Sequence, residues 1–145
     1  IVSGLTVMSG YVADEENTRR VLKDGKIYSA DLGYVDEEGM IHLKGRQGDV
    51  INVGGYKVDP SEVENAASSH ESVKDCICIA ANHPVIGTVL KLLVVLKDGV
   101  ELDKRSLAVH IKSKVDPHKV PTYYEATDSI QRTYNGKLDR KFYKK

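Results

Sequence analysis

The run Gly45-Arg46-Gln47-Gly48-Asp49-Val50-Ile51-Asn52-Val53-Gly54-Gly55-Tyr56-Lys57-Val58-Asp59-Pro60-Ser61-Glu62-Val63-Glu64 constrains this chain more than any other stretch. It holds three successive local instructions. Gly45 and Gly48 bracket an arginine, and flexible residues in that setting suit a pivot between two packed bodies. Ile51 to Val58 reads as two short strands joined by Gly54-Gly55, because a two-residue hairpin needs positive φ at both corners. Asp59-Pro60-Ser61-Glu62 starts a helix: Asp59 caps it, Pro60 takes the first helical position, and Glu62 reaches back in a capping box.

Size and charge narrow what such a chain can do. Its 145 residues suit one ordinary domain, or one small domain with a piece of another. A hydrophobic content of 41% is enough for a core. The 21 basic and 21 acidic residues cancel, so no basic excess points to nucleic acid or an anionic membrane as partner. No apolar run approaches the roughly 20 residues of a membrane span. The chain starts Ile1-Val2 without methionine and reads as a fragment, so a signal peptide could not be seen. Cys76 and Cys78 alternate with Ile77 and Ile79 in an apolar strand pattern, the expectation for reduced core residues of a cytoplasmic protein. His42, His70, His83, His110 and His118 show no metal-ligand spacing.

In chain order, residues 1–11 read as a strand and Asp14 to Leu22 as a short charged helix ended by Asp24-Gly25. Lys26 to Leu32 and Met40 to Lys44 read as strands joined by a turn at Asp36-Glu37-Glu38-Gly39. Pro60 to Ser69 is a predicted helix with Val63, Ala66 and Ala67 inward. Val73 to Ala81 and Thr88 to Lys97 are apolar strands with a turn at Asn82-His83-Pro84. Asp103 to Val115 is a helix with Leu107, Ile111 and Val115 at four-residue spacing. Thr122 to Ala126 is an edge strand. Asp128 to Gly136 is a polar, mobile tail, and Leu138 to Tyr143 a last helical turn. Strands and helices without a βαβ rhythm predict an α+β fold: a small, mostly antiparallel sheet flanked by helices.

Three stretches in register carry a resemblance. The Gly45–Glu64 run closely resembles the signature segment of the adenylate-forming, AMP-binding superfamily, above all its acyl-CoA synthetases and CoA ligases. Tyr28-Ser29-Ala30-Asp31-Leu32-Gly33 is similar to the family's Thr-Gly-Asp-Leu-Gly segment, with Ser29 and Ala30 in place of the usual Thr and Gly. Asn135-Gly136-Lys137-Leu138-Asp139-Arg140 resembles its C-terminal Gly-Lys segment. The resemblance implies residues 1–45 as a β-rich remnant of the large N-terminal domain, 46–48 as a hinge, and 49–145 as the mobile C-terminal domain.

It also implies roles. Asp31 would hold the ATP ribose; a carboxylate has two acceptor oxygens for two vicinal hydroxyls, although a turn or capping aspartate is the plainer reading. Arg46 would contact the nucleotide, its planar fork reaching ribose and phosphate together, against the alternative of a salt bridge to Asp49 or Glu38. Gly48 falls on the hinge position, where most members carry Asp or Lys; Asp49 beside it could serve instead. Lys57 stands where many carry an arginine that meets the AMP phosphate. Gly54, Gly55 and Tyr56 would line a pantetheine tunnel, and Lys112 matches a position that touches the CoA nucleotide in acetate-type synthetases; an exposed helix lysine is its plainer reading. Lys137 would be the catalytic lysine. Adenylation sets a carboxylate against the α-phosphate, and a cation between them offsets repulsion worth about 10²- to 10³-fold in rate.

The implied parent is an AMP-forming acid–thiol ligase that uses ATP, magnesium and CoA, with a carboxylic acid as substrate and the missing N-terminal domain as partner. The family's phosphate loop and acyl pocket would lie upstream of residue 1, so the fragment alone is expected to be inactive. Charging of a carrier-protein phosphopantetheine is the alternative acceptor reaction, and a non-catalytic interaction module the alternative class.

Overall fold

The computed structural model describes residues 1–143, with every side chain among them except that of Lys44; Lys144 and Lys145, the end of the basic tail, lie outside the described residues. Helix α1 (Glu15–Val21) is capped by Asp14, whose carboxylate accepts from the Asn17 N–H at 3.1 Å. Glu15 and Glu16 open the helix and Arg19 and Arg20 close it, each sign matched to the helix dipole. Asp24 and Gly25, both at positive φ, then turn strand β1 (Leu22–Lys23) back on β2 (Lys26–Ile27). The expected single strand from Lys26 is therefore broken, because that turn claims Lys26 and Ile27 for a separate two-residue pair. Residues 1–11 do not form the expected strand: glycines at 4 and 10 interrupt them, and Val2 makes one isolated bridge to Ile27.

Strands β3 (Asp31–Val35) and β4 (Ile41–Arg46) form an antiparallel hairpin. The Asp36 carboxylate fixes its turn by accepting from the N–H groups of Glu38 and Met40, at 3.0 and 2.8 Å. Strands β5 (Ile51–Val53) and β6 (Tyr56–Val58) pair across Gly54-Gly55, whose φ values of 57° and 91° are those a two-residue hairpin requires.

The Asp59 carboxylate accepts from the Ser61 N–H at 2.9 Å and starts α2 (Pro60–Ser68). The capping box does not form. Glu62 instead holds the Lys119 ammonium at 2.6 Å, a charge-assisted bond that outcompetes a reach back to one backbone amide. Strands β7 (Val73–His83), β8 (Gly87–Leu96) and β9 (Tyr123–Ala126) make one sheet in that order, antiparallel then parallel. The β7–β8 turn falls after His83, whose Nδ1 accepts from the N–H groups of Val85 and Ile86.

Helices α2 and α3 (Lys104–Lys112) cover one face of this sheet, where Val63, Ala67, Cys78, Leu92, Leu107 and Ile111 are sealed from solvent. Ile77, Leu93 and Ile130 bury a smaller cluster on the other face, against Leu138 and Tyr143 of the tail and its short helix α4 (Arg140–Tyr143). This is the expected α+β arrangement, a small sheet flanked by helices and preceded by a β-rich segment. The buried core begins at Val58, and none of the described side chains before it is buried. Apolar Tyr34, Val35, Met40, Ile41 and Leu43 of the β3–β4 hairpin face solvent. Among the described residues, no helix is long and apolar enough to cross a membrane.

Candidate active site

Pairing of β3 with β4 sets Asp31 opposite Arg46 and brings the guanidinium Nε within 3.1 Å of the Asp31 carboxylate. The two residues singled out for nucleotide contact thus share one exposed end of a hairpin. Arg46 uses neither Asp49 nor Glu38, its expected alternatives, because the strand register delivers Asp31 first.

The chain turns immediately after Arg46. Gln47 donates its N–H to the Ala30 carbonyl at 2.8 Å, and Asp49 donates its own to the Arg46 carbonyl at 3.0 Å. Gly48 sits between them without a positive φ, and a Cβ there would meet nothing within 4 Å. An Asp or Lys, which the resemblance puts at this position, would therefore fit. Gly45 differs: its φ is +156°, and the space its Cβ would need is filled by the Asp59 carboxylate. One Asp59 oxygen, Oδ2, is buried there without a hydrogen-bond partner among the described residues.

Gly54, Gly55, Tyr56 and Lys57 lie together on the β5–β6 hairpin, all exposed. The Asn52 side chain accepts from the Gly55 N–H at 3.0 Å and holds the corner. The Tyr56 ring stacks on His118, centroid to centroid 4.4 Å. Lys57 alternates with buried Val58 and so points to the opposite side. Lys112 is exposed in the last turn of α3, a different element from this group.

Lys137 is exposed on the loop between Arg132 and Leu138, which form an isolated bridge. Its carbonyl accepts from the Thr133 N–H at 2.8 Å, while its ammonium has no carboxylate partner among the described residues. The tail expected to be loose is tied on both sides of this lysine. Before it, one Arg132 nitrogen donates to both Asp75 carboxylate oxygens, at 2.7 and 2.9 Å, and the other donates to the Gly136 carbonyl. After it, Arg140 forks onto Glu64, both contacts 2.7 Å, and its Nε lies 3.3 Å from Asp49. Burial pushes the Arg140 pKa down; the Glu64 hydrogen bond and the charges of Glu64 and Asp49 outweigh it and leave the pKa raised. A cavity of about 400 Å³ opens beside Arg140, Asp49, Asn52 and Thr88, and the positions expected for nucleotide, pantetheine and the catalytic lysine lie outside its lining.

The family model for the AMP-binding enzyme C-terminal domain matches residues 62–137, a span from the first turn of α2 to Lys137 itself. The chain belongs to this AMP-binding enzyme family. It is 38% identical, over 97% of its length, to a long-chain-fatty-acid–CoA ligase of Bacillus subtilis, and covers 25% of that protein. It is 37% identical, over 95% of its length, to a feruloyl-CoA synthase of Amycolatopsis and covers 28% of it. Among solved structures it resembles the o-succinylbenzoate CoA synthetase of Bacillus subtilis in complex with its acyl-adenylate intermediate. There the TM-score is 0.89 at 29% identity, with 99% of this chain and 28% of that one covered. An amide bond synthetase from Marinactinospora thermotolerans gives a TM-score of 0.82 at 32% identity, with 94% and 28% covered. The chain spans about a quarter of the length of the curated relatives it matches.

Within this AMP-binding C-terminal domain, sequence reasoning overlooked Glu64, Arg140, Arg132 and Asp75. One signal was available. Pro60, Val63, Glu64 and Ala67 share a helix face, so Glu64 stood at a position reserved for apolar side chains. A buried acid at such a position demands a cationic partner, and Arg140 supplies it.

Proposed function

We propose that residues 49–145 are the mobile C-terminal domain of an ATP-dependent acyl- or aryl-CoA ligase, and that residues 1–45 close its large adenylating domain. The names of the relatives and the match ending at Lys137 support this reading. The exposed apolar face of the β3–β4 hairpin supports the division, since a segment with no buried side chain among its described residues needs another body to pack on. The observation that carries the chemistry is the Lys137 loop, tied on both sides while its ammonium stands exposed.

In the first step ATP and a carboxylic acid give acyl-AMP and pyrophosphate. Asp31 accepts hydrogen bonds from the ribose hydroxyls, and Arg46 turns from Asp31 toward the nucleotide. Lys137 places its charge between carboxylate and α-phosphate, where repulsion is greatest. Magnesium travels with the ATP phosphates; among the described residues no three His, Cys, Asp or Glu side chains gather to hold it. In the second step the domain turns about Gly48, withdraws Lys137, and brings the Gly54-Gly55 hairpin to the acyl-AMP. Those glycines let the pantetheine arm pass close to the backbone, with Tyr56 beside it and Lys57 toward the AMP phosphate. Lys112 adds a charge for the CoA nucleotide.

A nucleophile other than CoA is the second reading, favoured by the likeness to an amide bond synthetase; a carrier-protein thiol belongs to the same reading. A carboxylic-acid screen of the intact protein tests both. Acid-dependent pyrophosphate release, followed by CoA-dependent AMP release, is expected. AMP release with an amine or carrier thiol but not with CoA selects the second reading. Residues 1–145 alone are expected to show no ATP–pyrophosphate exchange.

A further inference from the structure

Arg140 follows Lys137 by three residues, and its guanidinium touches three separate parts of the fold. Two of its nitrogens fork onto Glu64 of α2, each at 2.7 Å. One of these also donates to the Cys78 carbonyl at 3.2 Å, and Nε lies 3.3 Å from Asp49, the residue after Gly48. Strand β7 is a sheet edge, paired among the described residues with β8 alone. The outward N–H and C=O of Cys78 would be left unmet there. Glu64 accepts from that N–H at 2.7 Å and Arg140 donates to that C=O, so the pair completes the edge as a strand would. Glu64 is 7% exposed, the most buried charged residue described.

We infer that Arg140 is a positioning residue: it fixes where the Lys137 loop stands and ties that loop to the segment following the pivot. This rests on the proposed role of Lys137. The bonds on both sides of the loop explain how. Arg132 and Asp75 hold its entry. Asp139 donates its N–H to the Gln131 carbonyl at 2.9 Å, and the Tyr143 hydroxyl accepts from the Gln131 N–H at 3.0 Å. Beside the Arg132–Asp75 contact and the packing of Ile130 and Leu138 on the sheet, Arg140 anchors this closed loop to the buried part of the edge at Cys78. Through Asp49 it also makes the lysine follow the pivot, so Asp49, Arg140 and Lys137 turn as one unit when the chain rotates at Gly48. Lysine cannot replace it, because a point charge does not reach Glu64, the Cys78 carbonyl and Asp49 together.

The test uses the intact protein with a carboxylic acid that it turns over. For Arg140→Lys, kcat of ATP–pyrophosphate exchange is expected to fall roughly 100-fold, the scale of an active group displaced by about 1 Å. The KM for ATP and the transfer of separately supplied acyl-adenylate to CoA should stay within about threefold, since Lys137 is needed in neither. Hydrogen exchange at residues 131–139 should speed up while α3 stays unchanged. Asp49→Asn removes one contact and spares the Glu64 fork, so a smaller loss of exchange activity with the same pattern is expected. It serves as the test if Arg140→Lys does not fold. Parallel loss of both half-reactions, or unchanged exchange at residues 131–139, would overturn the inference. Lys137→Ala separates the two ideas. Normal adenylation in that variant sinks the lysine reading; lost adenylation there with a normal rate in Arg140→Lys sinks the positioning role alone.

Discussion

The Asp31 carboxylate lies 3.1 Å from the Arg46 guanidinium, across a strand pair that sets the two residues directly opposite one another. Both side chains are well exposed, at 41% and 61%, so the pair contributes at most about 1 kcal/mol to stability. A contact so cheap to open leaves Asp31 free to exchange guanidinium for ribose hydroxyls. Asp31→Ala in the intact protein is therefore expected to raise the KM for ATP about tenfold or more, the scale of a lost hydrogen bond to a charged group. The urea midpoint should hardly move. A large stability loss with an unchanged KM would make the pair a structural one.

Gly45 and Asp59 form a tighter relationship. The Asp59 carboxylate fills the place of a Gly45 side chain, and the glycine holds a φ of +156°. Gly45→Ala is expected to destabilise the protein by about 1–3 kcal/mol, from overpacking and backbone strain together. Asp59→Ser keeps a capping oxygen but shortens the side chain, so the double variant should lose less than the sum of the two singles. Additive losses in denaturant unfolding would show that the two positions do not press on each other.

Much of this was legible beforehand. The glycine pair fixed the β5–β6 hairpin, and Asp59 and Asp103 marked their helix starts, because each rule acts over two or three residues. The register placing Asp31 against Arg46 was not legible, since the Asp24-Gly25 turn had to take Lys26 and Ile27 out of the following strand first. Glu62 left its capping box for Lys119, fifty-seven positions away, and no local pattern carries such a partner. The same holds for Glu64 and Arg140, seventy-six positions apart. Lys137 is singled out by its motif, but the two arginine anchors beside it depend on which sheet edge the tail meets.

The two cysteines make stability fall at high pH. Burial pushes the Cys76 thiol up to about 11, with nearby Glu64 and Asp75 adding to the shift, and burial pushes Cys78 higher still. In the unfolded chain a cysteine ionises near pH 8.5. The folded state therefore keeps a proton that the unfolded state releases. The contribution is complete below about pH 8.5 and is lost as pH rises toward the folded value, by about 1.4 kcal/mol per unit for Cys76. Urea midpoints between pH 8 and 10.5 should fall less steeply in Cys76→Ala than in the unaltered protein. Equal slopes would contradict burial of the thiol.

ATP–pyrophosphate exchange by Lys137→Ala in the intact protein bears most directly on the proposed chemistry. Its rate should drop about 10²- to 10³-fold, as for removal of one electrostatic group aimed at the developing charge. Transfer of separately supplied acyl-adenylate to CoA should remain within about threefold of normal. Exchange within a few-fold of the unaltered protein would contradict a catalytic lysine and leave the chain as an interaction module.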